Sequence, residues 1–78
     1  MKREDVLSGI INIFTMMTDA TVIHEDSELI DDLGITSMDM LMMIAYIEEE
    51  FHIRITERSI RRIITVSDVV DVVLRQLS

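Results

Sequence analysis

The chain has no cysteine, no proline and no tryptophan, and its 78 residues include only two glycines, one tyrosine and two phenylalanines. Without cysteine there is neither a disulfide nor a thiolate metal site, which suits a reducing compartment. Without proline, and with glycine only at Gly9 and Gly34, few residues break a helix, and this favours an all-helical chain. So few aromatic rings leave the core to aliphatic side chains and to seven methionines. Basic residues are missing from most of the chain: no Lys or Arg lies between Arg3 and Arg54, an interval that holds twelve of the fifteen acids. With a net charge of −8, such a body repels nucleic acid and anionic membranes and attracts basic protein surfaces. A long apolar run is also absent. The stretch 40–47 is far too short to span a bilayer, and "MKREDVLSGII" lacks the apolar run and cleavage site of a signal peptide. The expectation is a soluble, cytoplasmic monomer that neither inserts into membranes nor binds nucleic acid.

Half the residues are apolar (49%), enough for a real core, and the length allows one domain, residues 1–78. Residues 3–17 read as an amphipathic helix, with Val6, Ile10, Phe14 and Met17 on one stripe flanked by Leu7 and Ile11. Gly9 weakens that helix by roughly 1 kcal/mol relative to Ala, and leaves room for close packing. Residues 18–36 are polar and acidic, with Val22, Ile23, Leu29, Ile30 and Leu33 as scattered anchors. A connection this long is pinned by such anchors or has a function of its own.

Thr36-Ser37-Met38-Asp39 fits a capping box: the Thr36 hydroxyl accepts from the Asp39 backbone, and Asp39 reaches back. A helix then runs from Ser37 to about Phe51. Ser37 falls at its mouth, where backbone N–H groups lack intrahelical partners and a phosphate ester is favoured. Thr56 caps a short helix over 57–62. Thr65-Val66-Ser67-Asp68 is a second box, opening a helix with Val66, Val69, Val70, Val73, Leu74 and Leu77 on its apolar face. Valine is a poor helix former, but the cap and the spacing favour helix over strand. The expected fold is all-α: a small antiparallel four-helix bundle, three helices long and one short, with a long loop between the first two.

Several chemistries are disfavoured by the same residues. A serine nucleophile needs a base, yet only His24 and His52 are available and no G-x-S-x-G elbow surrounds Ser37. The two histidines make no zinc pattern. "HEDSELIDD" is acidic but lacks the spacing and central glycine of an EF-hand loop. No metal site is expected, and no catalytic residue.

Asp32-Leu33-Gly34, Ser37, Asp39, Ala45, Glu48-Glu49-Glu50 and Phe51 resemble, in register, the signature of the acyl carrier protein family. "ITVSDVVDVV" is similar to that family's last helix, and the likeness extends over essentially the whole chain. The resemblance implies that Ser37 carries 4'-phosphopantetheine, installed from coenzyme A by a separate phosphopantetheinyl transferase. It implies a carrier, not an enzyme, whose arm holds acyl intermediates as thioesters for loading and synthase enzymes with basic docking surfaces. The pathway would be fatty-acid, polyketide or related lipid biosynthesis. Thr36, Met38, Asp39, Met42, Glu48 and Glu49 are the candidate partner-recognition residues, and Met43 and Ile47 the candidate walls of an acyl cleft. The chain departs from the family pattern in four places. Thr36 stands for Asp, keeping the cap but not the charge; Met38 stands for Leu; Met42 stands where many fatty-acid carriers have an acid; and Arg58, Arg61 and Arg62 make the short helix basic. These departures imply a specialised carrier with a restricted partner set. An aminoacyl or peptidyl carrier, and an acidic helical adaptor with Ser37 unmodified, are the alternatives.

Overall fold

A computed structural model describes residues 2–77. Its elements are α1 (Arg3–Met17), α2 (Ser37–Phe51), α3 (Glu57–Arg61) and α4 (Val66–Leu77). The four helices match the expected all-α architecture, with α3 one residue shorter than expected because Arg62 is its C-cap. The sole β-type pairing among the described residues is an isolated antiparallel bridge between Glu28 and Thr65.

Helix α1 is the spine and packs on both α2 and α4. It runs antiparallel to α2: Gly9 meets the Phe51 ring at the far end of α2, while Met17 and Asp39 share a depression at the near end. A Cβ on Gly9 would lie 2.9 Å from the tip of that ring, so the glycine gives the α1–α2 crossing its closeness. The core is aliphatic. Val6, Ile10, Phe14, Met43, Ile47, Val66, Val69, Val70 and Val73 are all fully buried. The expected stripe of α1 shifts slightly. Ile13 joins the buried set and Met17 and Leu7 pack at its edge, whereas Ile11 stays outside the core. On α4, Val72 is buried, Leu74 is half-buried and Leu77 is exposed. The apolar face is therefore centred nearer the helix start than the sequence spacing indicated.

Of the expected anchors of the long loop, Leu29 and Leu33 are buried and Ile23 packs at the edge of the core, whereas Val22 and Ile30 are exposed; Ile35, not expected as an anchor, is buried as well. Backbone bonds then weld the loop to the start of α4: Leu29 N–H donates to Ile64 O (2.9 Å), Val66 N–H to Ser27 O (3.1 Å) and Ser67 N–H to Glu25 O (2.8 Å). Arg3 adds a clamp from α1, donating to Asp71 (2.7 Å), Glu25 (2.9 Å) and Ser67 (3.0 Å). Fixing this segment costs conformational entropy, and buried anchors with paired backbone groups offset it.

Candidate functional site

The approach to Ser37 is built by Asp31-Asp32-Leu33-Gly34-Ile35. The Asp32 carboxylate accepts from Glu28 N–H at 2.7 Å. Leu33 and Gly34 N–H groups donate to Glu28 O and Ile30 O, and Ile35 N–H to Leu29 O. Gly34 has φ +68° with open space around its missing Cβ. Its left-handed backbone, not crowding, calls for glycine. Buried Leu33 and Ile35 on either side hold the turn, and Thr36 follows in an extended conformation.

Thr36 and Asp39 form the expected box. Asp39 N–H donates to Thr36 Oγ1 at 3.2 Å, and Thr36 N–H donates to the Asp39 carboxylate at 3.0 Å. The Thr36 backbone bond first, and the Thr36 side-chain bond second, hold the Asp39 carboxyl below its ordinary value. Met40 N–H donates to Thr36 O, the first turn of the helix. The N–H groups of Ser37 and Met38 have no partner within the helix, and Ser37 itself is exposed. Among the described residues its hydroxyl makes no hydrogen bond to a base. His52 caps the opposite end of α2, about 22 Å away at 1.5 Å per residue. A serine needing an outside enzyme to activate it, at a helix start that favours a bound phosphate, fits a phosphodiester-linked arm.

From Ser37 an apolar strip descends the outer face of α2. Met38 is 75% exposed, Leu41 70%, Met42 49% and Tyr46 40%, with Ala45 exposed between them. Positions 38, 41, 42 and 45 follow the i, i+3, i+4, i+7 spacing of one helix face. Leu41 and Tyr46 were not among the residues expected there. Because α2 is apolar almost all round, its sequence alone does not say which side is inside.

Glu49 is exposed, but Glu48 is half-buried and its carboxylate accepts from Ile55 N–H at 2.8 Å. Glu48 thus tethers the segment after α2 and is not a free rim charge. Met43 and Ile47, the expected cleft walls, are 0% exposed and belong to the closed core. An open groove of about 180 Å³ lies instead beside the start of α2. Glu28, Leu29, Ile30, Asp31, Met40, Ile63 and Ile64 line it. Among the described residues no group of three or more His, Asp or Glu is placed to hold a metal ion, and no helix is long and apolar enough to cross a membrane.

Residues 5–73 match the family described as "phosphopantetheine attachment site". The chain belongs to the acyl carrier protein family. It is 30% identical to the acyl carrier protein of Thermotoga maritima over 96% of this chain and 95% of that one. With the acyl carrier protein of Clostridium acetobutylicum it shares 36% identity over 90% of this chain and 84% of that protein. The crystal structure of the Thermotoga maritima protein superposes with a TM-score of 0.82 at 28% identity, covering 99% of this chain and 92% of that one. A putative acyl carrier protein from Mycobacterium tuberculosis superposes with a TM-score of 0.73 at 34% identity, covering 94% and 95%. As a member of this family the chain bears covalent 4'-phosphopantetheine and carries acyl groups on it. Carriers of this kind are not catalysts.

Proposed function

We propose that Ser37 is the attachment point of the phosphopantetheine arm, and that the exposed strip of α2 below it is where partner enzymes dock. The observation behind this reading is the exposed hydroxyl at the first position of a fully capped helix. When attached, the group supplies a terminal thiol that holds an acyl chain as a thioester. The chain's own residues position that arm and expose it. The Thr36–Asp39 box fixes the helix start, Gly34 turns the loop clear of it, and the unpaired N–H groups of the first turn face the phosphate. A tether of this kind raises the effective concentration of cargo at each docked enzyme.

Docking combines charge and apolar contact. Asp39 and Glu49 steer basic enzyme surfaces, acting mainly on association rate. Met38 and Met42, with Leu41 and Tyr46, supply apolar contact at the centre. Burying one such side chain contributes roughly 1.5–3 kcal/mol, about tenfold or more in affinity. The groove walled by Met40, Ile30, Ile63 and Ile64 accommodates a short acyl chain. Its volume is comparable to the ~150 Å³ apolar cavity that holds benzene.

The test is an intact mass spectrum after co-expression with a broad-specificity phosphopantetheinyl transferase. The expected result is a mass gain of one phosphopantetheine in the wild type and none in Ser37→Ala, with the helical signal of both proteins unchanged. Modification that persists in Ser37→Ala overturns the assignment, and no gain in the wild type leaves an unmodified adaptor.

A further inference from the structure

Arginine plays two different parts in this molecule. Arg3 donates to two carboxylates and a hydroxyl and fastens α1 to α4 and the loop. The arginines of α3 have no such work. Arg58, Arg61 and Arg62 are all exposed, and their i, i+3, i+4 spacing puts them on one face. The opposite side of α3 is held down by half-buried Ile60 and buried Ile63. Arg61 lies 3.9 Å from Glu57, both side chains largely in solvent, a pair that contributes little. Arg58 and Arg62 make no ion pair or side-chain hydrogen bond among the described residues. Next to them Ile64 is 59% exposed. On a chain of net charge −8, this is a compact cationic face with an apolar residue beside it, and its one internal partner among the described residues is the solvent-exposed Glu57.

We propose that this face of α3 is a second docking surface, complementary to an acidic protein surface, and separate from the strip on α2 that faces basic enzymes. Charge complementarity selects the occupant. Three guanidinium forks within one helical turn match a discrete group of carboxylates, which arginine pairs bidentately. Arginine is also enriched in protein interfaces, where lysine and the acids are depleted. An extended polyanion is a poorer fit. Glu28 and Asp31 stand on the groove that Ile63 and Ile64 also line. A nucleic acid or anionic bilayer that extends past α3 onto this groove therefore meets like charge. A second copy of the chain is disfavoured by the mutual repulsion of two bodies of this net charge.

The experiment is a residue-resolved NMR titration of the intact ¹⁵N-labelled chain with four probes. These are a soluble helical peptide bearing a glutamate face with leucines, a twelve-residue oligothymidylate, phosphatidylglycerol vesicles, and the chain itself over a concentration series. The expected result is a shift confined to residues 57–64 with the acidic peptide. Added salt should weaken it, and Arg58→Glu/Arg61→Glu/Arg62→Glu should weaken it at least tenfold. The neutral pair Arg58→Gln/Arg62→Gln, which leaves the fold least disturbed, should weaken it several-fold. Loading of Ser37 by the transferase should be unchanged in both variants. This separates the proposal from the assignment of Ser37, because failure of Ser37 loading in the wild type leaves the peptide result intact. The proposal is overturned by no localised shift, by an equal shift in the variants, or by a stronger response to the oligonucleotide, the vesicles or the chain itself. Loss of Ser37 loading in the variants also overturns it, since the arginines would then belong to the α2 docking surface.

Discussion

Thr36-Ser37-Met38-Asp39 and Thr65-Val66-Ser67-Asp68 start two helices with the same hydrogen bonds. In each, the threonine hydroxyl accepts from the aspartate backbone at 3.2 Å and the aspartate carboxylate accepts from the threonine backbone at 3.0 Å. Their surroundings differ completely. At α4 the long loop closes over the mouth: Val66 and Ser67 N–H groups are taken by Ser27 O and Glu25 O, Val66 is fully buried, and Asp68 also accepts from Ile64 N–H at 2.9 Å. At α2 nothing closes over, and the residue in the Val66 position is an exposed serine. A helix start is available to an external phosphate only where the fold has not already used its donors. The contrast continues along both helices. Helix α4 buries Val66, Val69, Val70, Val72 and Val73, whereas α2 leaves Met38, Leu41 and Met42 in solvent.

The sharpest way to break this contrast is a pair of neighbouring methionines. Met43 is fully buried and Met42 is half-exposed. A glutamate at Met43 places an unpaired carboxylate in the core and removes most of the roughly 5 kcal/mol available to a small domain. Met43→Glu should abolish the cooperative thermal melt. Met42→Glu should shift stability by no more than about 0.5 kcal/mol, as a surface change does. If the two variants melt alike by circular dichroism, α2 has no free outer face.

The two caps make a smaller test. Thr36→Ala should cost about 1 kcal/mol and Thr65→Ala up to about 2 kcal/mol in urea denaturation. The second loss is larger because it also loosens the bridge that closes the loop. Equal losses would mean that the loop adds nothing to the α4 start.

Gly9 tests the crossing that supports α2. Alanine there gains about 1 kcal/mol of helix propensity, but its Cβ meets the buried Phe51 ring, and overpacking of this kind costs about 1–3 kcal/mol. Gly9→Ala should lower stability by about 1 kcal/mol, and Phe51→Leu in the same chain should recover part of the α1 contribution. A stabilising Gly9→Ala would show that the ring moves aside freely.

The smallest effect concerns acid. Backbone and side-chain bonds from Thr36 hold Asp39 below its ordinary value of 3.8, and the Thr65 backbone does most to lower Asp68, against partial desolvation. With folded values depressed, the unfolded chain binds more protons in this range, so stability rises with pH. The contribution is complete above about pH 5 and is lost as pH falls through the folded values, below about pH 4. Asp39→Asn and Asp68→Asn should each flatten the acid limb of urea midpoint against pH. An unchanged limb in both would remove the boxes as its cause.

Much of the fold was legible because short-range chemistry sets it. The two T-x-x-D boxes fix the starts of α2 and α4 within three residues, and the bounds of α1, which has no side-chain cap, follow from apolar spacing. Other features were not legible. Met42 was expected on the outer face and is there, but Leu41 and Tyr46 were not read as its neighbours, because in a helix apolar on nearly every side the pattern does not set the width of the exposed face. Glu48 looked like a rim charge, yet the chain that its carboxylate holds returns seven residues later, at Ile55.

By itself the sequence determined that this chain is all-helical, where its helices begin, and that a serine follows the cap of α2. These depend on hydrogen bonds and periodicities within a few residues of one another. Only the tertiary structure decided that the loop seals the start of α4 and leaves the start of α2 open, that Leu41 and Tyr46 join Met42 on the exposed face of α2, and that Arg3 is held in a clamp while Arg58 and Arg62 are not. Each of these turns on groups brought together from distant parts of the chain. Their burial and pairing are set by packing, and no local pattern encodes them.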